Sequence, residues 1–345
     1  MRPRIWWSGF RVATLNSCWR YRWWIPSIIK ECYRFQGLAL GSVRELRAVG
    51  RLLQRSRLKV LESGQGIVPI SMTLAVKFWG VRGSIACPSP EHVVYGGNTS
   101  CLEVFAGDQR IILDAGTGIR GLGQEFVRDK VKRSTLLLTH SHWDHINGFP
   151  FFAPAFMPNN DFGVYAGHLS AQGGIESVLS SQMSNPLFPV PLEALQANLR
   201  FIDFRAGESW NQGDVKIKTA PLNHPNGATG YRIEYGGRSM VYITDTEHVL
   251  GKPDANVLGL IEGADLVIYD STYTDAEFPA KIGWGHSTWQ EGVRLCKIAR
   301  VRQLAIFHHD PDHDDDFMAK LETEARAEWK GALVAREQMI LTPGL

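Results

Sequence analysis

From position 73 onward, short apolar runs recur between Gly, Asn and Pro turns. Ala75–Trp79, Cys101–Phe105, Arg110–Leu113 and Thr135–Thr139 carry the Val, Ile, Leu, Thr and aromatic content of strands. A second series follows at Gly163–Tyr165, Val215–Ala220, Gly230–Tyr235, Ser239–Thr244, Leu266–Tyr269 and Gln303–Phe307. Between and after them the period changes to that of helices. Over Thr288–Arg300, Thr288 and Glu291 have capping-box spacing, while Val293, Leu295, Cys296 and Ala299 form an apolar stripe. Further helices are expected from Gly118 through Phe126 and over Asp315–Trp329. Two strand series interleaved with helices predict an α/β fold in which two sheets pack face to face, each covered by helices outside. No internal repeat is present, which argues against a solenoid.

The first 72 residues have a different texture. They hold five Trp and thirteen Lys or Arg against three acidic residues, which leaves the rest of the chain at a net charge of −8. Arg11, Arg20 and Arg22 interrupt every stretch that could serve as a signal peptide. Val43, Leu46, Leu53 and Val60 recur near helical spacing among Arg44, Arg47, Arg51 and Arg55, a pattern that suits a basic amphipathic helix on an anionic membrane. The preferred expectation is plainer. Residues 1–71 form a basic, Trp-rich extension without a fixed fold or not native, residues 72–345 form the catalytic body, and deletion of 1–71 leaves hydrolysis intact.

Charge also bears on partners. An acidic body repels a long polyanion, so a small substrate is expected and a large nucleic acid is not. Cys18, Cys32, Cys87, Cys101 and Cys296 are odd in number and include no C-x-x-C pair, which fits a reducing, cytoplasmic setting. No stretch approaches the roughly eighteen apolar residues of a membrane span, so no integral span is expected.

The chemistry is concentrated in Leu138-Thr139-His140-Ser141-His142-Trp143-Asp144-His145, four metal-capable side chains directly after a strand. Where a strand turns sharply into a helix, such residues can converge on one point. Imidazole and carboxylate suit Zn2+, and also Mn2+ or Fe2+. Three more strands end near metal-capable residues: Val215–Ala220 leads to His224, Ser239–Thr244 to Asp245, and Gln303–Phe307 to His308. Taken singly, each is as readily a loop His or a turn-capping Asp; together they reinforce one another.

The ordered set His140-x-His142-x-Asp144-His145, His224, Asp245 and His308 resembles that of the metallo-β-lactamase superfamily, over nearly all of residues 73–345. The cyclic-nucleotide phosphodiesterase and tRNase Z-like subgroup is the nearest match within it. The resemblance implies a four-layer αββα sandwich of two mixed β-sheets holding two divalent metal ions. His140, His142 and His224 would hold one, and Asp144, His145 and His308 the other, with Asp245 bridging. His309 competes with His308 for the last place. Asp114, in Ile111–Gly118, resembles the aspartate that braces the metal loop by hydrogen bonding. The segments Phe78–Ser84, with Arg82, and Tyr95–Ser100, with Asn98, are similar to the opening of the subgroup. Their glycines either bring backbone N–H groups to an anion or merely make turns.

His286, in Gly283–Thr288, resembles a histidine beside the cluster and is either a proton donor to the leaving alkoxide or a helix-start residue that packs. His309, Asp310 and His313 are expected to orient ligands or to touch substrate. His92, His168 and His248 lack motif support and read as ordinary surface or loop residues.

The implied activity is a dinuclear phosphodiesterase acting on cyclic nucleotides or related small diesters through a metal-bridging hydroxide. Asp144 and Asp245 would hold and orient that hydroxide, Arg82 or backbone donors would stabilise the developing charge, and His286 would protonate the leaving oxygen. A homodimer is a further implication. Fold alone does not fix substrate. The absent export signal disfavours a secreted β-lactamase, His142 stands where diiron oxygen-reducing proteins usually have a carboxylate, and a tRNA nuclease would want a basic body. A glyoxalase-like thioesterase stays open as the enzyme alternative. A catalytically silent, metal-stabilised nucleotide-binding or sensing module is the alternative of another class.

Overall fold

The computed structural model describes residues 60–63, 66–69, 73–169 and 173–344. Strands β1 (Val60–Ser63) and β2 (Gly66–Pro69) pair as an antiparallel hairpin. The basic helix expected over Val43–Val60 lies outside the described residues except at its end, where Val60 opens β1 instead.

The first large sheet is built from β3 (Leu74–Gly80), β4 (Cys101–Ala106), β5 (Gln109–Leu113), β6 (Arg133–Leu138), β7 (Asp161–Ala166) and β8 (Asn198–Asp203). β3 to β5 run antiparallel, with β4 and β5 joined as a hairpin, and β5 to β8 run parallel. The second sheet takes β9 (Ser209–Gln212), β10 (Val215–Leu222), β11 (Ala228–Tyr235), β12 (Arg238–Ile243), β13 (Leu266–Asp270), β14 (Gln303–Phe307) and β15 (Ala332–Val334). It is antiparallel from β9 to β12 and parallel from β12 to β15. The last strand, β16 (Ile340–Leu341), returns to the first sheet beside β3.

Side-chain alternation explains the layering. In β12 to β14, Met240, Tyr242, Leu266, Ile268, Ala305 and Phe307 face the other sheet and meet Leu74, Val76, Phe78, Leu102 and Val104. Their neighbours Val241, Ile243, Val267, Tyr269, Leu304 and Ile306 face the outer helices. With both faces buried, these strands read as continuous apolar runs. α1 (Ile119–Asp129), the short α2 (Trp143–Ile146) and α3 (Gly174–Gln182) belong with the first sheet, whose outer core holds Ile119, Phe126, Ile146, Ile175 and Leu179. α4 (Ala255–Ile261), α5 (Trp289–Ile298) and α6 (Asp315–Glu328) cover the second. Thr288 caps α5 by accepting from the Glu291 N–H, as its spacing predicts. The result is the expected four-layer αββα sandwich. Among the described residues no helix is long and apolar enough to cross a membrane.

Candidate metal centre

Strand register brings the predicted residues to one rim. The parallel strands β5 and β6 end in step, with Leu113 opposite Leu137, so Asp114 and the His140–His145 turn leave the sheet side by side. In the second sheet Ile243 lies opposite Tyr269 and Asp270 opposite Phe307, which sets Asp245, Asp270 and His308 at the same edge. His224 stands in the turn between β10 and β11. The carboxyl ends of parallel strands are where α/β sheets gather their ligands. Three of these residues, Asp114, Asp245 and His308, adopt left-handed backbone conformations (φ 60°, 57° and 63°), a conformation tolerated by Asp and His more readily than by bulky residues. It turns each side chain off its strand and into the rim.

The side chains there form two overlapping groups that share Asp245, with a third set beside them. His140, His142, His224 and Asp245 make one, Asp144, His145, Asp245 and His308 the other, and Asp270, His286 and His308 stand alongside as a further set of metal-capable side chains. Asp245 belongs to both by division of its oxygens. Oδ2 lies 3.6 Å from both His140 Nε2 and His224 Nε2, while Oδ1 lies 3.1 Å from His145 Nε2 and 3.2 Å from His308 Nε2. Asp144 Oδ2 completes the second group at 3.3 Å from the Nε2 atoms of His145 and His308. His309 turns the other way, its Nε2 bonding the Ala335 carbonyl at 2.9 Å in the core. The sequence left two histidines open for the last position; His308 is the one in the cluster.

Bonds behind the cluster decide which ring atoms face inward. Asp114, fully buried, accepts from the Thr139 N–H and hydroxyl, the Tyr242 hydroxyl and His145 Nδ1, the last at 2.8 Å. His224 Nδ1 donates to the Gly285 carbonyl at 2.8 Å, and His308 Nδ1 faces the Thr272 hydroxyl at 3.0 Å. With Nδ1 so engaged, each Nε2 presents a lone pair to the centre.

The electrostatics point to missing positive charge. Burial, reinforced by His145, holds His140 well below the ordinary imidazole value, so it is neutral, and its buried Nε2 has no hydrogen-bond partner. Burial opposes ionisation of Asp144 and Asp245, yet the surrounding histidines hold both well below the usual carboxylate range. Burial also disfavours a charged His145, but Asp144, Asp245 and Asp114 outweigh it and push its pKa well up. This gathering of inward-facing imidazole nitrogens and carboxylates is a donor set that fits divalent metal ions.

Comparison with known proteins agrees with this geometry. Residues 109–309 match the β-lactamase superfamily domain, a span that includes Asp114 and every residue of both groups. The chain belongs to the β-lactamase superfamily. It is 22% identical to a ribonuclease Z from Thermoplasma volcanium across 78% of this chain and 97% of that one, and 25% identical to a ribonuclease Z from a Bradyrhizobium species across 68% and 91%. Among solved structures, the metallo-β-lactamase fold protein YhfI from Bacillus subtilis superposes with a TM-score of 0.59 at 19% identity, over 78% of this chain and 98% of that one. The short form of human tRNase Z gives 0.56 at 17%, over 79% and 100%. The protein is therefore a hydrolase of the metallo-β-lactamase fold.

Around this superfamily core, several residues take places the sequence did not foretell. Arg82, expected near substrate charge, is fully buried and ties the β3–β4 connection to the one after β14 by donating to the carbonyls of Gly96, Asp310 and His313 at 2.7–2.9 Å. Asn98 is bound through both its backbone and side-chain nitrogens to Glu337. Asp310 caps its own turn at the Asp312 N–H, and His313 pairs with Glu277 at 3.0 Å while stacking on Phe317. The hydrogen bonds of these residues tie together the loops around the centre.

Gly83 works as a close-approach glycine: a Cβ there would overlap the His308 ring, and the next residue, Ser84, donates its N–H to Asp144 at 2.7 Å. His168 and His248, expected as ordinary surface or loop residues, do lie in loops but are largely covered. His168 bonds the Ser141 hydroxyl, and His248 stacks on Phe278 and bonds the Ser287 hydroxyl.

His286 reaches the rim, with Nδ1 3.1 Å from Asp270 Oδ2 and 3.8 Å from Asp245 Oδ2. Burial disfavours its charge, but Asp270 overcomes this and raises its pKa to about 9. Asp270 was not singled out from the sequence. Its sequence signal is only an acid closing an apolar strand; the register that sets it beside Asp245 and His308 is a feature of the structure.

Proposed function

We propose that this protein is a phosphodiesterase acting on cyclic nucleotides or related small phosphodiesters. The observation that carries this reading is the Asp270–His286 pair standing beside the bridging-type carboxylate of Asp245. Two divalent cations, Zn2+ or alternatively Mn2+ or Fe2+, held by His140, His142 and His224 and by Asp144, His145 and His308 with Asp245 shared, would supply Lewis acidity and an activated water at neutral pH. Asp144 and Asp245 would hold and orient that water, since both turn carboxylate oxygens into the cluster. His286, its Nδ1 turned to Asp270, carries a proton at neutral pH and gives it to the leaving oxygen as the P–O bond breaks. An alkoxide is a poor leaving group without this proton, whereas a thiolate leaves readily. The buried dyad therefore favours an oxygen ester over the thioester alternative.

The net charge of −8 beyond residue 72 supports a small substrate. The relatives named ribonuclease Z support a second reading, in which the diester belongs to RNA. Purified protein is assayed, with and without chelator, on 3′,5′- and 2′,3′-cyclic nucleotides, bis(p-nitrophenyl) phosphate, a precursor tRNA transcript and a glutathione thioester. Chelator-sensitive cleavage of the small diesters is the expected result. Cleavage of the transcript alone favours the second reading, while thioester cleavage alone, or nucleotide binding without turnover, overturns both.

A further inference from the structure

Of the seven residues in the two ligand groups, only His142 and His224 are not fully buried, and since the His224 side chain itself is 2% exposed, the centre comes nearest to solvent at His142. Their rings are 4.9 Å apart. The residue after His142 is Trp143, 81% exposed; the residue before Gly285, whose carbonyl holds His224, is Trp284, 61% exposed. A tryptophan contributes to folding by burying its large ring, and neither of these does so. Single exposed aromatics are ordinary on protein surfaces, but these two share one metal centre, Trp143 following the ligand His142 and Trp284 preceding the glycine that holds His224.

The loop that carries Trp284 is firmly held. Glu247 Oε2 accepts from the N–H groups of both Gly283 and Gly285, at 2.7 and 2.8 Å, and these glycines adopt φ of 90° and 85°. Lys281 Nζ lies 4.5 Å from the Trp284 ring centre and 5.2 Å from that of Tyr273, and the Tyr273 ring is 6.0 Å from that of His286. A flat apolar surface, a cation beside it and a proton donor beyond match the chemistry of a base attached to a phosphate.

We infer that Trp143 and Trp284 form a stacking subsite for a nucleobase next to the scissile phosphodiester, with Lys281 facing the phosphate side of Trp284. This rests on the phosphodiesterase reading and narrows it to nucleoside-bearing diesters. Stacking on an aromatic face is tolerant of base identity, so the subsite selects nucleotides as a class.

Two esters with the same leaving group test it: thymidine 5′-(p-nitrophenyl) phosphate and methyl p-nitrophenyl phosphate. The wild-type protein is expected to prefer the thymidine ester by about tenfold or more in kcat/KM, mainly through KM. In W143A and W284A the preference falls toward one, and W284F restores most of it. A preference unchanged in both alanine variants overturns the inference. Quenching of tryptophan fluorescence by thymidine 5′-monophosphate reads binding without turnover. If neither ester is cleaved, the phosphodiesterase reading fails. The subsite then stands only if wild-type fluorescence is quenched and the alanine variants lose that quenching; it falls if wild type is not quenched.

Discussion

The Nε2 atoms of His145 and His308 face each other at 3.3 Å, although one follows β6 and the other β14, in different sheets. Each ring is held from behind, His145 by Asp114 and His308 by Thr272. Two such lone pairs are stable at this distance only with a proton or cation between them. Removal of metal is therefore expected to leave His145 protonated, visible as an imidazolium by NMR at neutral pH.

The same geometry separates His308 from its neighbour. His308→Ala should fold and lose at least one equivalent of metal by elemental analysis, with hydrolysis down 100-fold or more. His309→Ala should keep its metal and instead lose about 2–4 kcal/mol of stability in urea, because it empties a core position and leaves the Ala335 carbonyl unpaired. Equal metal loss in both variants would contradict the assignment.

Asp270→Asn tests the proton donor. The carboxylate favours the charged form of His286, so its removal lowers the His286 pKa. Activity that depends on protonated His286 is lost as pH rises through that pKa. The alkaline limb of the kcat profile should accordingly move to lower pH by about one unit or more, with metal content unchanged.

How far this was readable beforehand depends on the kind of signal. Strands buried on both faces, such as Leu266–Asp270 and Gln303–Phe307, announce themselves as apolar runs. The edge strands Asn198–Asp203 and Ser209–Gln212 do not, since half their residues face solvent and they carry polar side chains there. The α4 helix was missed although Asp254 caps it, because seven residues are too few to show a period. The ligand residues were legible as metal-capable side chains just after strands. Asp270 was not singled out, lying just past the strand read as Leu266–Tyr269, and Arg82 was expected beside developing substrate charge. Only the register of β12 to β14 reveals the first, and only the three carbonyls around it the second.

Gly83→Ala should show how tightly the site is built. The added methyl collides with the His308 ring, which is braced by Thr272 and has nowhere to yield. A loss of about 1–3 kcal/mol in stability is expected, together with weaker metal retention in competition with a chelator.

His168 predicts an acid sensitivity. Burial lowers its pKa from 6.5 to about 4, so the folded form stays neutral where the unfolded chain takes up a proton. The stabilising difference is complete above about pH 6.5 and is lost as pH falls toward 4, with a total on the order of 3 kcal/mol. Urea unfolding at pH 7 and pH 4.5 should show a gap about 2 kcal/mol smaller in His168→Gln than in wild type.

Tyr242 from the second sheet reaches Asp114 on the first, and Tyr231 reaches the carbonyl of Leu138, both within 3 Å. The centre they border draws His140, His142, Asp144 and His145 from one side of the sandwich and His224, Asp245 and His308 from the other. The two halves cannot part without scattering the donors, so bound ions would oppose the parting of the sheets. The metal-loaded protein should therefore melt at a higher temperature than the same protein after chelation.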